Sequence, residues 1–132
     1  MAERCFIDTN VAVYLLSDEP HKASRAEHLM LTRPCISAQV LNEFISICTR
    51  KLGFSRAAAH ENARALMGNC DVEPITASTV EQAMRLGERY QLSHWDALIL
   101  ASAQLAGCRV LYSEDMQDGM QFDGLSICNP FA

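Results

Sequence analysis

Short apolar runs that alternate with helix signals leave this 132-residue chain few ways to fold. Arg4 to Ile7, Pro34 to Ser37, Asp71 to Ile75, Arg109 to Tyr112 and Leu125 to Cys128 read as strands. The segments between them carry helix starts and stops. Thr9-Asn10 open a helix through Val13, Tyr14, Leu15 and Leu16, and Pro20 suits the first turn of the next, which runs to about Leu31. Ser37 caps a helix from Ala38 to about Leu52 that Gly53 ends; Ser55 caps another to about Met67, closed by Gly68-Asn69. Ser78-x-x-Glu81 reads as a capping box for a helix to about Tyr90. Ser93-x-x-Asp96 is a looser version ahead of the apolar run Ala97 to Ala106, which Gly107 stops. This alternation predicts an α/β fold: a three-layer α/β/α domain with a mostly parallel central sheet of about five strands. With no repeat, low-complexity tract or linker, one domain over residues 1–132 is expected.

Composition narrows the class. Hydrophobic residues make up 49% and charged residues 20%, as in a globule able to bury its own core. Met1-Ala2-Glu3-Arg4-Cys5 leads straight into a strand with no signal-peptide core. The longest strictly apolar run, Ala97 to Ala101, falls far short of the roughly 20 residues that cross a bilayer. The expectation is a cytoplasmic protein with no membrane association. The six cysteines are scattered singly through apolar contexts without a Cys-x-x-Cys pair, and so read as small reduced hydrophobes.

Four carboxylates stand at the margins of apolar elements: Asp8 after the first strand, Glu43 inside an amphipathic helix, Asp96 at a helix start, and Asp115 after a late strand. An unpaired charge at such a margin is costly, and sharing a divalent cation is one way to tolerate several. Ligands of open parallel sheets bind beyond the carboxyl ends of the strands, where strand order reverses. Asp8 and Asp115 fall on that rim, and Asp96 joins them if the first and fourth strands are neighbours. Glu43 lies about 40° from Ile47, just outside the apolar arc of its helix, so it can lean into a cleft. Gln39, Asn42, Ser46 and Thr49 are expected on the outward face. Thr9, Asn10 and Ser113 flank the acids and suit contacts behind the ligands. Taken singly, Asp8, Asp96 and Asp115 are equally explained as caps, and Glu43 as a surface pairing residue. His94 reads as a structural residue at a helix start, and Glu114 and Asp118 as solvated loop acids.

Charge runs against a nucleic-acid partner: 11 Lys and Arg face 16 Asp and Glu, a net charge of −5. Setting the four marginal acids aside leaves twelve acids against eleven bases, and Arg50, Lys51, Arg56, Arg64, Arg85 and Arg89 gather along the middle helices. A bound divalent ion would reverse the local field further.

Four stretches in order, Phe-Ile-Asp-Thr-Asn at 6–10, Asn42-Glu43, Trp95-Asp96-Ala97-Leu98-Ile99 and Leu111-Tyr112-Ser113-Glu114-Asp115, resemble the PIN-domain ribonucleases. More narrowly, they resemble the VapC-type toxins of bacterial toxin–antitoxin pairs. The tail from Asp123-Gly124-Leu125 to Asn129-Pro130-Phe131 is similar to the closing strand of that family, so the resemblance covers essentially the whole chain. Trp95 stands where Tyr is common and Ser113 where Thr is common. The resemblance implies that Asp8, Glu43, Asp96 and Asp115 hold one or two Mg²⁺ or Mn²⁺ ions and that RNA is cleaved by metal-activated water, leaving 5′-phosphate and 3′-hydroxyl ends. It also implies a homodimer blocked by a small antitoxin. Two other readings remain open. One is another Mg²⁺-dependent phosphotransfer enzyme, although Asn10 stands where an aspartate-nucleophile phosphatase wants its second Asp. The other is a non-catalytic module that binds RNA or a partner through an acidic pocket.

Overall fold

In the computed structural model, which describes residues 3–132, β1 (Cys5–Ile7) lies inside a single six-stranded sheet. The strand order is β3 (Asp71–Glu73), β2 (Cys35–Ser37), β1, β4 (Val110–Tyr112), β6 (Leu125–Cys128), β5 (Gln121–Phe122). All neighbours are parallel except β5 and β6. The extra strand is the departure from the five expected. Asp123 and Gly124 both take positive φ (50° and 88°), which makes a two-residue hairpin turn of the Asp-Gly type and folds β5 back onto β6.

The chain steps from β1 to β2 to β3 in one direction and then returns past β1 to β4. Right-handed crossovers therefore put the helices of the first two connections on one face and those of the third on the other. On the first face lie α1 (Thr9–Val13) with a 3-10 turn at Tyr14–Leu16, α2 (Pro20–Met30), α3 (Ala38–Arg50) and α4 (Arg56–Asn69). On the second lie α5 (Ala77–Tyr90) and α6 (His94–Leu105). The packing partners agree: α1 on α3, α3 on α4, α5 on α6. The core between these layers is filled by Phe6, Ile36, Val40, Phe44, Leu100 and Leu111, all essentially inaccessible to water. The seven residues Ala97–Ala103 are buried without interruption, so α6 is covered on every side rather than on one stripe. Among the described residues no helix is long and apolar enough to cross a membrane.

Three local expectations are corrected. Gly68 and Asn69 belong to α4 instead of closing it, and Cys70 follows in extended conformation. The capping box of α5 is Thr76 with Thr79, not Ser78 with Glu81, because β3 ends at Glu73 and the helix begins at Ala77. Thr79 N–H donates to Thr76 Oγ1 at 3.4 Å, and Thr76 N–H donates to Thr79 Oγ1 at 3.1 Å. At Ser93 only half of a box forms: Ser93 Oγ accepts Asp96 N–H at 3.2 Å, leaving the Asp96 side chain out of the cap. The cysteines are free, five buried and Cys128 half-buried, and burial pushes the thiols of Cys70 and Cys108 up to about 12, as expected of apolar filler.

Ser37 ends β2 and caps α3, accepting Val40 N–H at 3.4 Å from a fully buried position. Ser37→Ala should lower stability by about 1 kcal/mol. The urea midpoint should fall while its slope stays constant; an unchanged midpoint would show that the cap contributes nothing.

Candidate functional site

The sheet reverses its strand order between β1 and β4, and the acids collect at the carboxyl end of that pair. Asp8 follows Ile7, the last residue of β1, and its N–H extends the ladder by donating to Tyr112 O at 3.0 Å. Ile7 and Tyr112 are themselves paired in register, so the residues after them, Asp8 and Ser113, emerge side by side. Only 8% of Asp8 is exposed. Its Oδ1 accepts Thr9 N–H at 2.7 Å, which makes it the cap of α1, and its Oδ2 accepts the Ser113 hydroxyl at 2.8 Å. Ser113 Oγ in turn accepts the N–H groups of Asp115 and Met116, each at 3.2 Å. One buried hydroxyl thus ties Asp8 to the turn that carries Asp115.

The remaining acids approach from helices and loop. Asp96 is the third residue of α6, half-buried, in a first turn where the helix dipole favours an anion. Glu43 is exposed on α3, and its Oε1 accepts the Thr9 hydroxyl at 3.2 Å. Asp115 is exposed and its Oδ2 accepts Asn10 Nδ2–H. Its carboxylate takes its hydrogen bond from Asn10 and not from an N–H of the segment that follows, so it does not cap a following helix or turn. All four acids line one hollow of about 100 Å³ together with Thr9, Asn10, Gln39, Ile47, Trp95 and Ile99. Among the described residues, however, no three Asp, Glu, His or Cys side chains stand close enough to hold an ion as they are. Glu43 and Asp115 are each bonded to a residue of α1.

The electrostatics of the hollow are one-sided. Its lining contains no Lys, Arg or His. Burial pushes the Asp8 carboxyl up to about 6, and the charges of Asp115 and Asp96 add to that; the bonds from Ser113 and Thr9 pull the other way without prevailing. Each Asp8 oxygen accepts only one hydrogen bond and keeps a lone pair free. Carboxylate and amide oxygens without thiol or imidazole are the ligand set of a hard cation such as Mg²⁺ or Mn²⁺, and the residues present fit one.

Sequence reasoning missed Gln39. Expected on the outward face, it is only 9% exposed, donates through Nε2 to Trp95 O at 3.2 Å, and holds the start of α3 against the start of α6. Its Oε1 has no hydrogen-bond partner. The signal was its place one turn before Glu43, on nearly the same side of the helix. Trp95 is 64% exposed, and a more open apolar trough of about 480 Å³ shares Gln39, Glu43 and Trp95 with the acid hollow and adds Ile75 and Leu98. His94 is exposed, its ring edge-on to Trp95. Glu114 is not the solvated acid expected: it is half-buried and bonded to Lys22 and Tyr14. Asp118 is exposed and accepts Asn129 N–H at 2.9 Å.

A three-layer α/β domain with an acid-lined hollow at its sheet's switch point defines a class, one in which carboxylates from distant stretches share a rim. The PIN domain family model matches residues 5–119, and the chain belongs to that family. Solved structures agree in fold. A toxin–antitoxin complex from Klebsiella pneumoniae superposes with a TM-score of 0.73 at 21% identity, covering 96% of this chain and 97% of that one. FitAcB from Neisseria gonorrhoeae gives 0.71 at 17% identity, covering 96% and 98%. VapC20 from Mycobacterium tuberculosis, described as a toxin that cleaves the sarcin-ricin loop, gives 0.68 at 26% identity, covering 84% and 89%. No curated protein matches the sequence.

Because the folded value for Asp8, about 6, lies above its ordinary 3.8, the native state binds the extra proton between them and stability falls as pH rises. The contribution of the protonated carboxyl is full below pH 3.8 and lost through pH 6, a change on the order of 3 kcal/mol for a shift of this size. Urea unfolding in chelator should show the wild type losing about that much relative to Asp8→Asn between pH 4 and 7.5. A difference that does not vary with pH would contradict the buried, crowded carboxylate.

Proposed function

We propose that this chain is a single-domain, Mg²⁺- or Mn²⁺-dependent endoribonuclease, the toxin component of a type II toxin–antitoxin pair. The observation that carries the reading is Asp8: a carboxylate buried at the switch point, crowded by Asp96 and Asp115, in a hollow with no cationic side chain. Such a group is costly unless a cation joins it. Membership of the PIN domain family supports the nuclease class, and the RNA-cleaving description of VapC20 supports RNA as the substrate. The toxin–antitoxin complex from Klebsiella pneumoniae, of the same fold, supports a small antitoxin as partner.

Asp8, Asp96, Glu43 and Asp115 would hold the cation, with Asp8 as the central ligand and Asp96 beside it. When bound, a divalent ion supplies water activated for attack on phosphorus and offsets charge developing on the phosphoryl oxygens. Ser113 and Thr9 keep Asp8 in one orientation through its two hydrogen bonds. Glu43 and Asp115, exposed and each held by one bond to α1, have the freedom to turn inward. Asn10 then releases Asp115 and is left free to contact substrate, and Gln39 keeps the entrances of α3 and α6 together. A homodimer is part of the proposal, and the exposed Trp95 and the apolar trough beside it offer a face that a second copy would cover.

The separation of the acids favours one rival, a module that binds RNA or a partner without cutting. The two part on activity. Purified wild type should cleave single-stranded RNA in Mg²⁺ or Mn²⁺ and stop in EDTA, while Asp8→Asn and Asp96→Asn, folded by circular dichroism, should lose at least about 100-fold. Equal cleavage by all three proteins with and without metal would remove the enzyme reading. Growth arrest on expression, relieved by a small protein encoded beside the gene, would separate a toxin from a housekeeping nuclease.

A further inference from the structure

Two carboxylates stand side by side at 114 and 115, yet only Asp115 lines the hollow. Glu114 turns the other way, into a clamp built from α2 and the 3-10 turn. Its Oε2 meets Lys22 Nζ at 2.7 Å, and its Oε1 accepts the Tyr14 hydroxyl at 2.6 Å. Lys22 also donates to Tyr14 Oη at 3.0 Å and closes the triangle. The ammonium lies 4.5 Å from the centre of the Tyr14 ring and 5.5 Å from that of Phe131, and the two rings stack edge to face at 4.8 Å. Arg25 donates to Pro130 O at 2.9 Å, which holds the C-terminal segment in place beside them. With side chains only 30% and 27% exposed, Lys22 and Glu114 form a partly desolvated, doubly bonded pair instead of a loose surface contact.

The turn from Ser113 to Met116 lies past the end of β4 and continues its ladder only through Ser113 N–H, which donates to Cys128 O at 3.0 Å. Beyond that it is pinned inside by Ser113 Oγ, which accepts the Asp115 and Met116 N–H groups, at the hollow by Asn10, which donates to Asp115 Oδ2, and outside by Glu114. We propose that Lys22 and Tyr14 are positioning residues that act through Glu114, holding this turn so that Asp115, and not Glu114, is presented to the cation. The proposal rests on the reading that the hollow holds a divalent ion. Without the clamp, the turn is fixed only by Ser113 and Asn10, and a second carboxylate, freed one residue away, competes for the same edge of the hollow. The lysine also neutralises one of two adjacent negative charges on a turn that already faces Asp8 and Asp96. The Glu114 carboxyl is accordingly held below its usual range, first by the bond from Lys22 and then by that from Tyr14.

The test uses the full chain and Mn²⁺ alone. Lys22→Met keeps an unbranched stem against the rings and removes the charge, Glu114→Gln keeps the shape and weakens the clamp, and Lys22→Arg restores a cation. Mn²⁺ affinity is read by electron paramagnetic resonance titration, and amide hydrogen exchange at Asp115 and Met116 is followed in metal-free protein. Lys22→Met should bind Mn²⁺ about 10-fold more weakly, the lower end of what an orienting partner contributes, and should exchange both amides faster. Lys22→Arg should recover most of both, and Lys22→Met combined with Glu114→Gln should be no worse than Lys22→Met alone. Unchanged Mn²⁺ affinity and exchange in Lys22→Met and Glu114→Gln, even with a lower melting temperature, would overturn the positioning role and leave the nuclease reading standing. Failure of the wild type itself to bind Mn²⁺ at millimolar concentration would overturn the cation reading, and this role with it.

Discussion

Everything at the functional end of this molecule depends on one carboxylate that water scarcely reaches. Asp8 is held at the exit of β1 by two donors, the Thr9 N–H and the Ser113 hydroxyl, and both belong to segments that would otherwise be free to choose their direction. Through the first, Asp8 starts α1 and so sets where Thr9 and Asn10 lie. Through the second it gathers the turn after β4. Thr9 then reaches Glu43 and Asn10 reaches Asp115. Asp8, Glu43 and Asp115 are therefore connected by hydrogen bonds that run through α1 and Ser113, and not through one another, while Asp96 stands apart at the start of α6. This arrangement tolerates like charges in one place by giving Asp8, Glu43 and Asp115 each a different neutral donor.

The rest of the fold makes that tolerance affordable. An ionised Asp8 opposes folding above pH 6, while the continuous burial of Ala97–Ala103 and the filling of the sheet by Phe6, Phe44, Ile36 and Leu111 act in the other direction. The same apolar helix that stabilises the core begins with Ser93, Trp95 and Asp96, so its first turn is both the anchor of the core and a wall of the hollow. Stability and acidity are adjacent on one element, the buried run starting at Ala97 directly after Asp96. A substitution that loosens α6 within the core would thus displace Asp96 as well.

Much of this was legible in the residues because the physics was local. Strand–helix alternation, the caps at Ser37 and Ser55, and Pro20 in the first turn of α2 each follow from short-range chemistry and stand in the structure as expected. The positions of Asp8 and Asp96 at element ends were equally plain. What was not legible depended on partners far away in sequence. Gln39 looks solvent-facing on its own helix and is buried only because α6 closes over it 56 residues later. Glu114 looks like a loop acid and is claimed by Lys22, 92 residues earlier. The α5 cap was misplaced by two residues since Thr76 and Ser78 offer similar chemistry and only the length of β3 decides between them. The β5–β6 hairpin did carry a local signal in Asp123-Gly124, but a two-residue strand has too little pattern to declare itself.

Under the proposed function, the acidity of the hollow bears on substrate as well as on metal. A polyanion approaching Asp8, Glu43, Asp96 and Asp115 with no cation among them meets repulsion in a site whose lining carries no basic residue. A divalent ion changes the sign of that encounter before it changes any bond, because it is the largest local charge once present. Binding and catalysis then share a single requirement, and RNA affinity at the hollow should depend on metal even where cleavage is blocked by substitution elsewhere. The bases along the middle helices, Arg50, Lys51, Arg56 and Arg64 among them, contribute attraction that is independent of the ion but lies outside the lining of the hollow. Metal would therefore govern where on the surface a strand settles, and salt how strongly it is drawn there at all.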